Sequence, residues 1–84
     1  MKSLEQLRKG VGLSQLELAT LFKVSDRTIY NYERDSTNIP NSLLDKYMVA
    51  FDVEYDDIFL GKKYDFIVHQ QKLIYQRLRE KKLA

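Results

Sequence analysis

The chain has 84 residues, a net charge of +2 and a hydrophobic fraction of 44%. This length suits one small domain with a modest core, and we expect no second domain. Because the chain contains no cysteine, neither a disulfide nor a thiolate metal site can stabilise the fold. No apolar run approaches the roughly 20 residues that span a bilayer, and the N-terminal residues lack the apolar core of a signal peptide, so we expect a cytoplasmic protein without a membrane segment.

Charge is distributed unevenly along the chain. Residues 1–35 carry six basic and five acidic side chains, residues 36–60 one and five, and residues 61–84 seven and two. The three parts therefore have net charges of +1, -4 and +5. An acidic middle and a basic tail indicate a polarised surface that can orient the molecule on DNA, although charged faces of small helical domains are commonly only solvated.

The first predicted helix covers residues 3–10. Leu4 and Leu7 recur there at helical spacing and are expected to face inward, whereas the charged residues between them can remain in solvent. Gly10 and Gly12 predict the end of this helix.

Residues 14–33 contain two short amphipathic patterns with a gap between them that is too short for anything except a sharp turn. Ser14 and Glu17 have the spacing of a capping box, which predicts the start of a second helix. Ser25 is another good N-cap and predicts a third helix that ends near Arg34. Two caps about eleven residues apart cannot belong to one helix, so the segment is typical of a helix-turn-helix.

A fourth helix is predicted from Pro40, because proline suits a first helical turn. Its apolar face carries Leu43, Leu44, Tyr47, Met48 and Phe51. A short fifth helical turn, capped by Asp56 and Asp57, adds Ile58 and Phe59 to the same core. Since no alternating pattern typical of strands occurs, we predict an all-α fold.

Three segments resemble a known family as they stand, in this order: LRKGVGLSQLELA, VSDRTIYNYER and LLDKYMVAFDVEYDDIF. They resemble the small helix-turn-helix family of phage repressors, Cro proteins and their bacterial relatives, over roughly residues 4–61. The resemblance implies a five-helix DNA-binding domain over residues 1–61, and residues 62–84 beyond it are expected to form a C-terminal amphipathic helix. Lys23 and Asp52 depart from the family pattern, because glycine is common at both positions.

Four side chains of the third helix are candidates for reading base edges in a major groove: Asp26, Arg27, Tyr30 and Asn31. Arg27 can donate two hydrogen bonds to guanine, Asn31 can pair similarly with adenine, and Asp26 can accept from cytosine. Asp26 can alternatively favour the helix N-terminus by its charge. Tyr30 can touch a thymine methyl group or a phosphate, or lie against the neighbouring helix.

The resemblance also implies residues that contact the DNA backbone. Gln15 matches the family position that binds a phosphate and supports the third helix. The loop after that helix, which lies along the DNA backbone in the family, supplies the other candidates: Arg34, Ser36, Thr37 and Asn38. Ordinary polar turn composition is an equal explanation for Ser36, Thr37 and Asn38.

Other family positions are structural. Arg8 and Glu33 fall where the family has an internal ion pair between the first and third helices. Tyr32 occupies a position that is usually large and apolar, so we expect it in the core. A non-glycine residue at Lys23 costs on the order of 1 kcal/mol if its φ is positive.

The C-terminal segment contains an apolar stripe with spacings of three and four residues: Tyr64, Ile67, Gln71, Ile74 and Leu78. Four further residues are predicted to make this apolar surface wider than the stripe alone: Phe66, Val68, Leu73 and Tyr75. The helix either packs back on the domain or pairs two subunits, and we prefer pairing, which would place two reading helices about 34 Å apart on DNA. The basic end can contact phosphate or fray in water.

We conclude that the sequence predicts a transcriptional regulator that binds double-stranded DNA, most simply a repressor acting as a homodimer on a pseudo-palindromic site. One alternative is an antitoxin that binds DNA and a protein partner, and another is a protein-interaction module that has lost DNA binding. With one histidine and no glycine-rich phosphate loop, the chain has little to support catalysis, so we expect no enzyme, cofactor or metal.

Overall fold

A computed structural model describes residues 1–83. Its helices are α1 (Leu4–Gly10), α2 (Gln15–Phe22), α3 (Asp26–Arg34), α4 (Asn41–Phe51) and α5 (Lys63–Glu80), with one turn of 3-10 helix at Tyr55–Asp57 between α4 and α5. The prediction of an all-α fold is confirmed, although the expected short fifth helix of the domain is only this single turn. None of the helices described within residues 1–83 is both long and apolar enough to cross a membrane.

Serine side chains fix the starts of the first three helices. The hydroxyl oxygens of Ser3, Ser14 and Ser25 each accept a hydrogen bond from the backbone N–H three residues further on. At Ser14 the bond is reciprocal, because its own N–H donates to the Glu17 carboxylate at 2.9 Å. These hydrogen bonds to the Glu17 carboxylate hold its pKa below the usual value. Local sequence thus determines where these helices begin.

Left-handed residues end two of the helices. Lys23 has φ 59° at the end of α2, and Asp52 has φ 51° at the end of α4. The N–H groups of both residues donate to carbonyls of the preceding turn, so the ends are satisfied despite a conformation that favours glycine. The two strained positions are those where the family commonly has glycine.

One apolar core joins the helices of the domain. It consists of Leu4, Leu7, Leu18, Ala19, Phe22, Ile29, Leu43, Leu44, Tyr47 and Ile58. Tyr47 lies at its centre, fully buried, with the Phe22 ring edge-on at 5.0 Å and the Phe51 ring stacked at 5.9 Å. Tyr32 packs against this core but is only partly buried.

The Tyr47 hydroxyl is buried and has no hydrogen-bond partner among residues 1–83. Burial raises the pKa of this group far above its usual value, and the negative charge of Glu33 adds to the effect. The phenol therefore stays neutral, and its hydroxyl costs desolvation energy without compensation from a described protein group.

A buried ion pair connects the core helices at their polar side. The Glu33 carboxylate of α3 accepts from Arg8 Nε at 2.6 Å and from Arg8 Nη2 at 2.9 Å, and both residues are 7% exposed. Arg8 Nη1 also donates to the Leu13 carbonyl at 2.8 Å, which holds the loop before α2. The hydrogen bonds that Arg8 donates to the Glu33 carboxylate raise the pKa of Arg8, so the guanidinium remains charged although it is desolvated.

Only the first turns of α5 pack on the domain. The buried Phe66 ring lies 5.1 Å from the Phe59 ring, and Lys63 pairs with Glu5 of α1 at 3.0 Å. Burial of Glu5 opposes its ionisation, but hydrogen bonds from Lys63 and Lys9 outweigh this and lower its pKa. Phe66 therefore does not widen the exposed apolar surface of α5, as the periodicity had indicated, because it faces the domain.

The rest of α5 projects away from the domain. The molecule measures 48 × 24 × 21 Å, and its radius of gyration of 14.4 Å exceeds the roughly 12 Å expected for a compact chain of this length. Ile74 and Tyr75 are each more than half exposed. Packing back on the domain thus applies to the start of α5 and not to its remaining length.

We predict that Glu33→Ala lowers the free energy of unfolding by about 3–5 kcal/mol, because it leaves the Arg8 charge buried without its partner. Chemical denaturation followed by circular dichroism measures the change. The control is Glu80→Ala, which removes an exposed carboxylate and should change stability by less than about 0.5 kcal/mol. Equal stability of the two variants would contradict a supporting role for the ion pair.

We predict that Tyr47→Phe raises the free energy of unfolding by about 1 kcal/mol, because it removes a buried hydroxyl without a partner and keeps the ring packing. The exposed Tyr55→Phe is the control and should be neutral within about 0.5 kcal/mol. A loss of stability greater than about 1 kcal/mol for Tyr47→Phe would show that the hydroxyl is bonded after all.

Candidate nucleic-acid interface

The turn between α2 and α3 sets the angle between the two helices. It contains only residues 23–25, and the left-handed Lys23 reverses the chain before Ser25 caps α3. The Val24 N–H donates back to the Ala19 carbonyl at 3.0 Å. The two helices pack directly on one another beyond the turn, which is the arrangement of a helix-turn-helix.

Helix α3 has two distinct faces. Its inner face carries Ile29, which is fully buried, and Glu33, which is held by the ion pair. The outer face carries the five exposed side chains Asp26, Arg27, Tyr30, Asn31 and Arg34. The structure therefore brings all four predicted base-reading residues onto one exposed surface, which we call the α3 outer face.

The guanidinium groups of two arginines on this face lie close to the ring of Tyr30. The guanidinium carbon of Arg27 lies 5.0 Å from the centre of the Tyr30 ring, and that of Arg34 lies 5.7 Å from it. Both distances are within the range of cation–π attraction. The Tyr30 ring thus lies beside two arginines of its own helix, a contact that was not among the placements expected for it, and 36% of the residue is exposed.

Asp26 begins α3 and is oriented by its own helix. Its carboxylate accepts from the Arg27 backbone N–H at 2.9 Å, close to the positive end of the helix dipole. One carboxylate oxygen is thus used at the helix start, while the exposed group keeps further acceptor capacity.

Gln15 connects the start of α2 to the end of α3. Its Nε2 donates to the Glu33 carboxylate at 3.0 Å, so this carboxylate binds side chains from α1 and α2 while lying on α3. The Gln15 side chain is partly exposed, and its amide retains further donor and acceptor capacity for a phosphate.

The residues predicted to contact phosphate in the loop after α3 differ in exposure. Thr37 and Asn38 are exposed, but Ser36 is only 3% exposed. The Ser36 hydroxyl accepts from the Gly61 N–H at 2.9 Å and donates to the Gly61 carbonyl at 3.3 Å, and its N–H donates to the same carbonyl. Ser36 is therefore buried, and its polar atoms join this loop to the segment before α5, an arrangement that does not favour the phosphate contact expected from the sequence.

Thr37 is hydrogen-bonded to another residue of the same loop. Its hydroxyl and its backbone N–H both donate to the Asp35 carboxylate, and these bonds lower the pKa of Asp35. These bonds hold Thr37 against Asp35, so an acidic group lies beside a residue that is expected to contact the DNA backbone.

The structure adds one cation that the sequence did not indicate. Lys62 precedes α5, but a backbone bridge to Asp35 places it beside the end of α3. The open cleft between these elements is lined by Asn31, Arg34, Asp35, Lys62, Lys63, Tyr64 and Ile67. Residues 62–63 are visible in the sequence as a basic pair. No local pattern, however, predicts that Lys62 lies near the α3 outer face.

The arrangement offers hydrogen-bond donors and acceptors on an exposed helix face, with the cations Arg27, Arg34 and Lys62 on it or beside it. Its dimensions suit a major groove about 12 Å wide, which admits one α-helix. Within the described residues 1–83, no group of three histidine or acidic side chains is placed to hold a metal ion.

Comparison with known proteins gives one match. A family model described as helix-turn-helix matches residues 4–58, well over half of the chain, while a search of curated proteins returns no match. The matched residues include α1 to α4, the α2–α3 turn, the Arg8–Glu33 pair and the α3 outer face. The chain therefore belongs to the helix-turn-helix family of DNA-binding transcription regulators, the family that its sequence resembles.

Proposed function

We propose that this protein is a sequence-specific transcriptional repressor that binds a pseudo-palindromic operator as a homodimer. The observation that carries the proposal is the α3 outer face, where five polar side chains are exposed on a helix whose opposite face is fixed by Ile29 and Glu33. Because the helix is rigid before it meets DNA, little conformational entropy is lost when its side chains enter the groove.

Base recognition in this proposal depends on Arg27 and Asn31. Arg27 donates two hydrogen bonds to guanine, and Asn31 pairs in the same way with adenine. Each such pair discriminates against a wrong base by about 1–3 kcal/mol. Asp26 accepts from cytosine at the start of the helix, and Tyr30 keeps Arg27 extended along the groove.

Affinity in this proposal comes from contacts on both sides of α3. Gln15 donates to a phosphate from one side, while Thr37 and Asn38 contact the backbone from the other. Arg34 and Lys62 add positive charge beside the cleft at the end of α3. These contacts are independent of sequence and sensitive to salt, because bound cations release counterions from DNA.

An operator that spans two successive major grooves requires two copies of the domain. A two-fold dimer places two α3 helices on successive major grooves about 34 Å apart, and the operator then repeats its half-site with inverted orientation. Repression requires only that the bound dimer occupies a promoter, so DNA binding and self-association are sufficient for it.

Selection from random duplexes, followed by gel shifts of the selected sequence, tests the proposal. We expect an inverted repeat with half-site centres about 10 base pairs apart, and binding that weakens steeply between about 50 and 200 mM salt. A reporter with the selected site across its promoter should lose expression when the protein is produced. Failure to find salt-sensitive binding to any duplex would contradict the proposal.

We predict that Asn31→Ala weakens binding to the selected operator about 5- to 150-fold and broadens the base preference at one position of each half-site. The reason is the loss of a two-bond contact to one base. Gel-shift titration and a repeated selection measure the two effects. Gln76→Ala removes an exposed amide on α5 and should change neither.

We predict that Arg34→Ala lowers the slope of log affinity against log salt by about 1 per subunit, because each phosphate contact releases about one counterion. Ser36→Ala is the matched comparison. It should lower stability by about 1–3 kcal/mol, because the Gly61 N–H loses its acceptor, and leave the salt slope unchanged. An altered slope for Ser36→Ala would contradict its assignment as a buried connector.

A further inference from the structure

Helix α5 has an apolar face that its own domain leaves mostly exposed, although Tyr64 and Ile67 at its start also border the cleft beside α3. The exposed fractions of Tyr64, Ile67, Ile74, Tyr75 and Leu78 lie between 38% and 74%. These residues share one side of the helix, because their spacings of three and four keep them in register with its turns. Phe66, on another side, makes the attachment to the domain.

This face is symmetric about Gln71. Apolar residues stand three, four and seven positions on either side of it, namely Val68 with Ile74, Ile67 with Tyr75, and Tyr64 with Leu78. If a second α5 lies antiparallel with a two-fold axis at Gln71, every apolar residue meets an apolar residue of the other copy. The two Gln71 amides then meet on the axis, where each can donate to and accept from the other.

The charges of α5 distinguish the two possible directions of pairing. Its C-terminal end carries Arg77, Arg79, Lys81 and Lys82 against a single acidic residue, Glu80. A parallel pair would bring two such ends side by side, at a cost in repulsion. An antiparallel pair separates them and places each beside the partner's first turns, where Asp35, Asp65 and the carboxylate of Glu5 offset part of the positive charge.

Gln71, the polar residue at the centre of the face, determines the register of the antiparallel α5 pair. A shift of the antiparallel pair by one helical turn would place Gln71 against an apolar side chain and bury its amide without a partner. A single polar residue in an apolar seam commonly selects one alignment in this way. The face therefore has a preferred occupant, namely the same face of a second copy.

We propose that two copies of this chain associate through an antiparallel pair of α5 helices, with the two-fold axis passing through Gln71. The inference rests on the homodimer of the proposed function and gives it an interface. In this arrangement the domains attach at opposite ends of the pair, with the starts of the two α5 helices about 25 Å apart. That distance is of the same order as the spacing of successive major grooves, about 34 Å.

Sedimentation of the protein without DNA tests the interface. We expect the full chain to dimerise and Ile74→Lys to raise the dimer dissociation constant at least about 10-fold, since each dimer loses two buried side chains. Val49→Lys is the control, because Val49 is an equally apolar residue, 83% exposed on α4, and its replacement should leave association unchanged. A monomeric wild type, or an Ile74→Lys variant that still dimerises normally, would overturn the interface.

Disulfide trapping determines the direction of pairing, because the chain has no cysteine of its own. Tyr64→Cys and Leu78→Cys should form no disulfide dimer separately, but a mixture of the two should form a heterodimer. Gln71→Cys should form a homodimer, and Gln76→Cys, away from the face, should form none. Homodimers of Tyr64→Cys or of Leu78→Cys would indicate parallel helices and overturn the proposal.

Gel shifts separate failure of this interface from failure of the proposed function. If the wild-type protein binds its selected duplex but the mixture of the Tyr64→Cys and Leu78→Cys variants forms no disulfide heterodimer, the DNA-binding function stands and the α5 interface is wrong. If the interface forms and no duplex is bound at any salt concentration, the interface stands and the proposed function is wrong.

Discussion

The carboxylate of Glu33 is the constraint on which the rest of the domain depends. It lies near the end of α3 and accepts hydrogen bonds from Arg8 of α1 and from Gln15 of α2. A buried pair of this kind contributes more to a defined arrangement than to net stability, because desolvation offsets most of the attraction. In this protein the defined arrangement is the angle at which α3 projects from the domain.

Contacts on the inner side of α3 hold the helix in place and leave its outer face exposed. Ile29 and Glu33 occupy the inner side, so Arg27 and Asn31 can point outward without any structural duty. Tyr30 adds order by lying near the guanidinium groups on both sides of it. The same few residues thus provide a rigid support and a polar surface, as a reader of base edges requires.

In the proposed dimer, helix α5 connects the domain to the second subunit. Phe66 and the Glu5–Lys63 pair attach its first turns, so the direction in which the remaining turns project is fixed by the domain. In the proposed dimer, this direction would determine the separation of the two α3 helices. Operator spacing would then depend on side chains far from any DNA contact.

Sequence by itself determined the features that depend on neighbouring residues. The caps at Ser14 and Ser25, the helices that follow them and the exposed row on α3 are all local consequences of residue order and helical period. The resemblance to known regulators supplied the Arg8–Glu33 pair, which no local rule indicates. This information was sufficient for the fold and for most of the candidate site.

Tertiary structure decided the features that depend on segments distant in the chain. Ser36 looks like an ordinary polar loop residue, yet it is buried because Gly61, 25 residues away, binds its hydroxyl. Lys62 joins the site, and Phe66 faces the domain, for the same reason: the chain before α5 returns to the end of α3. Helical period specifies which residues share a face, but only packing determines which face is covered.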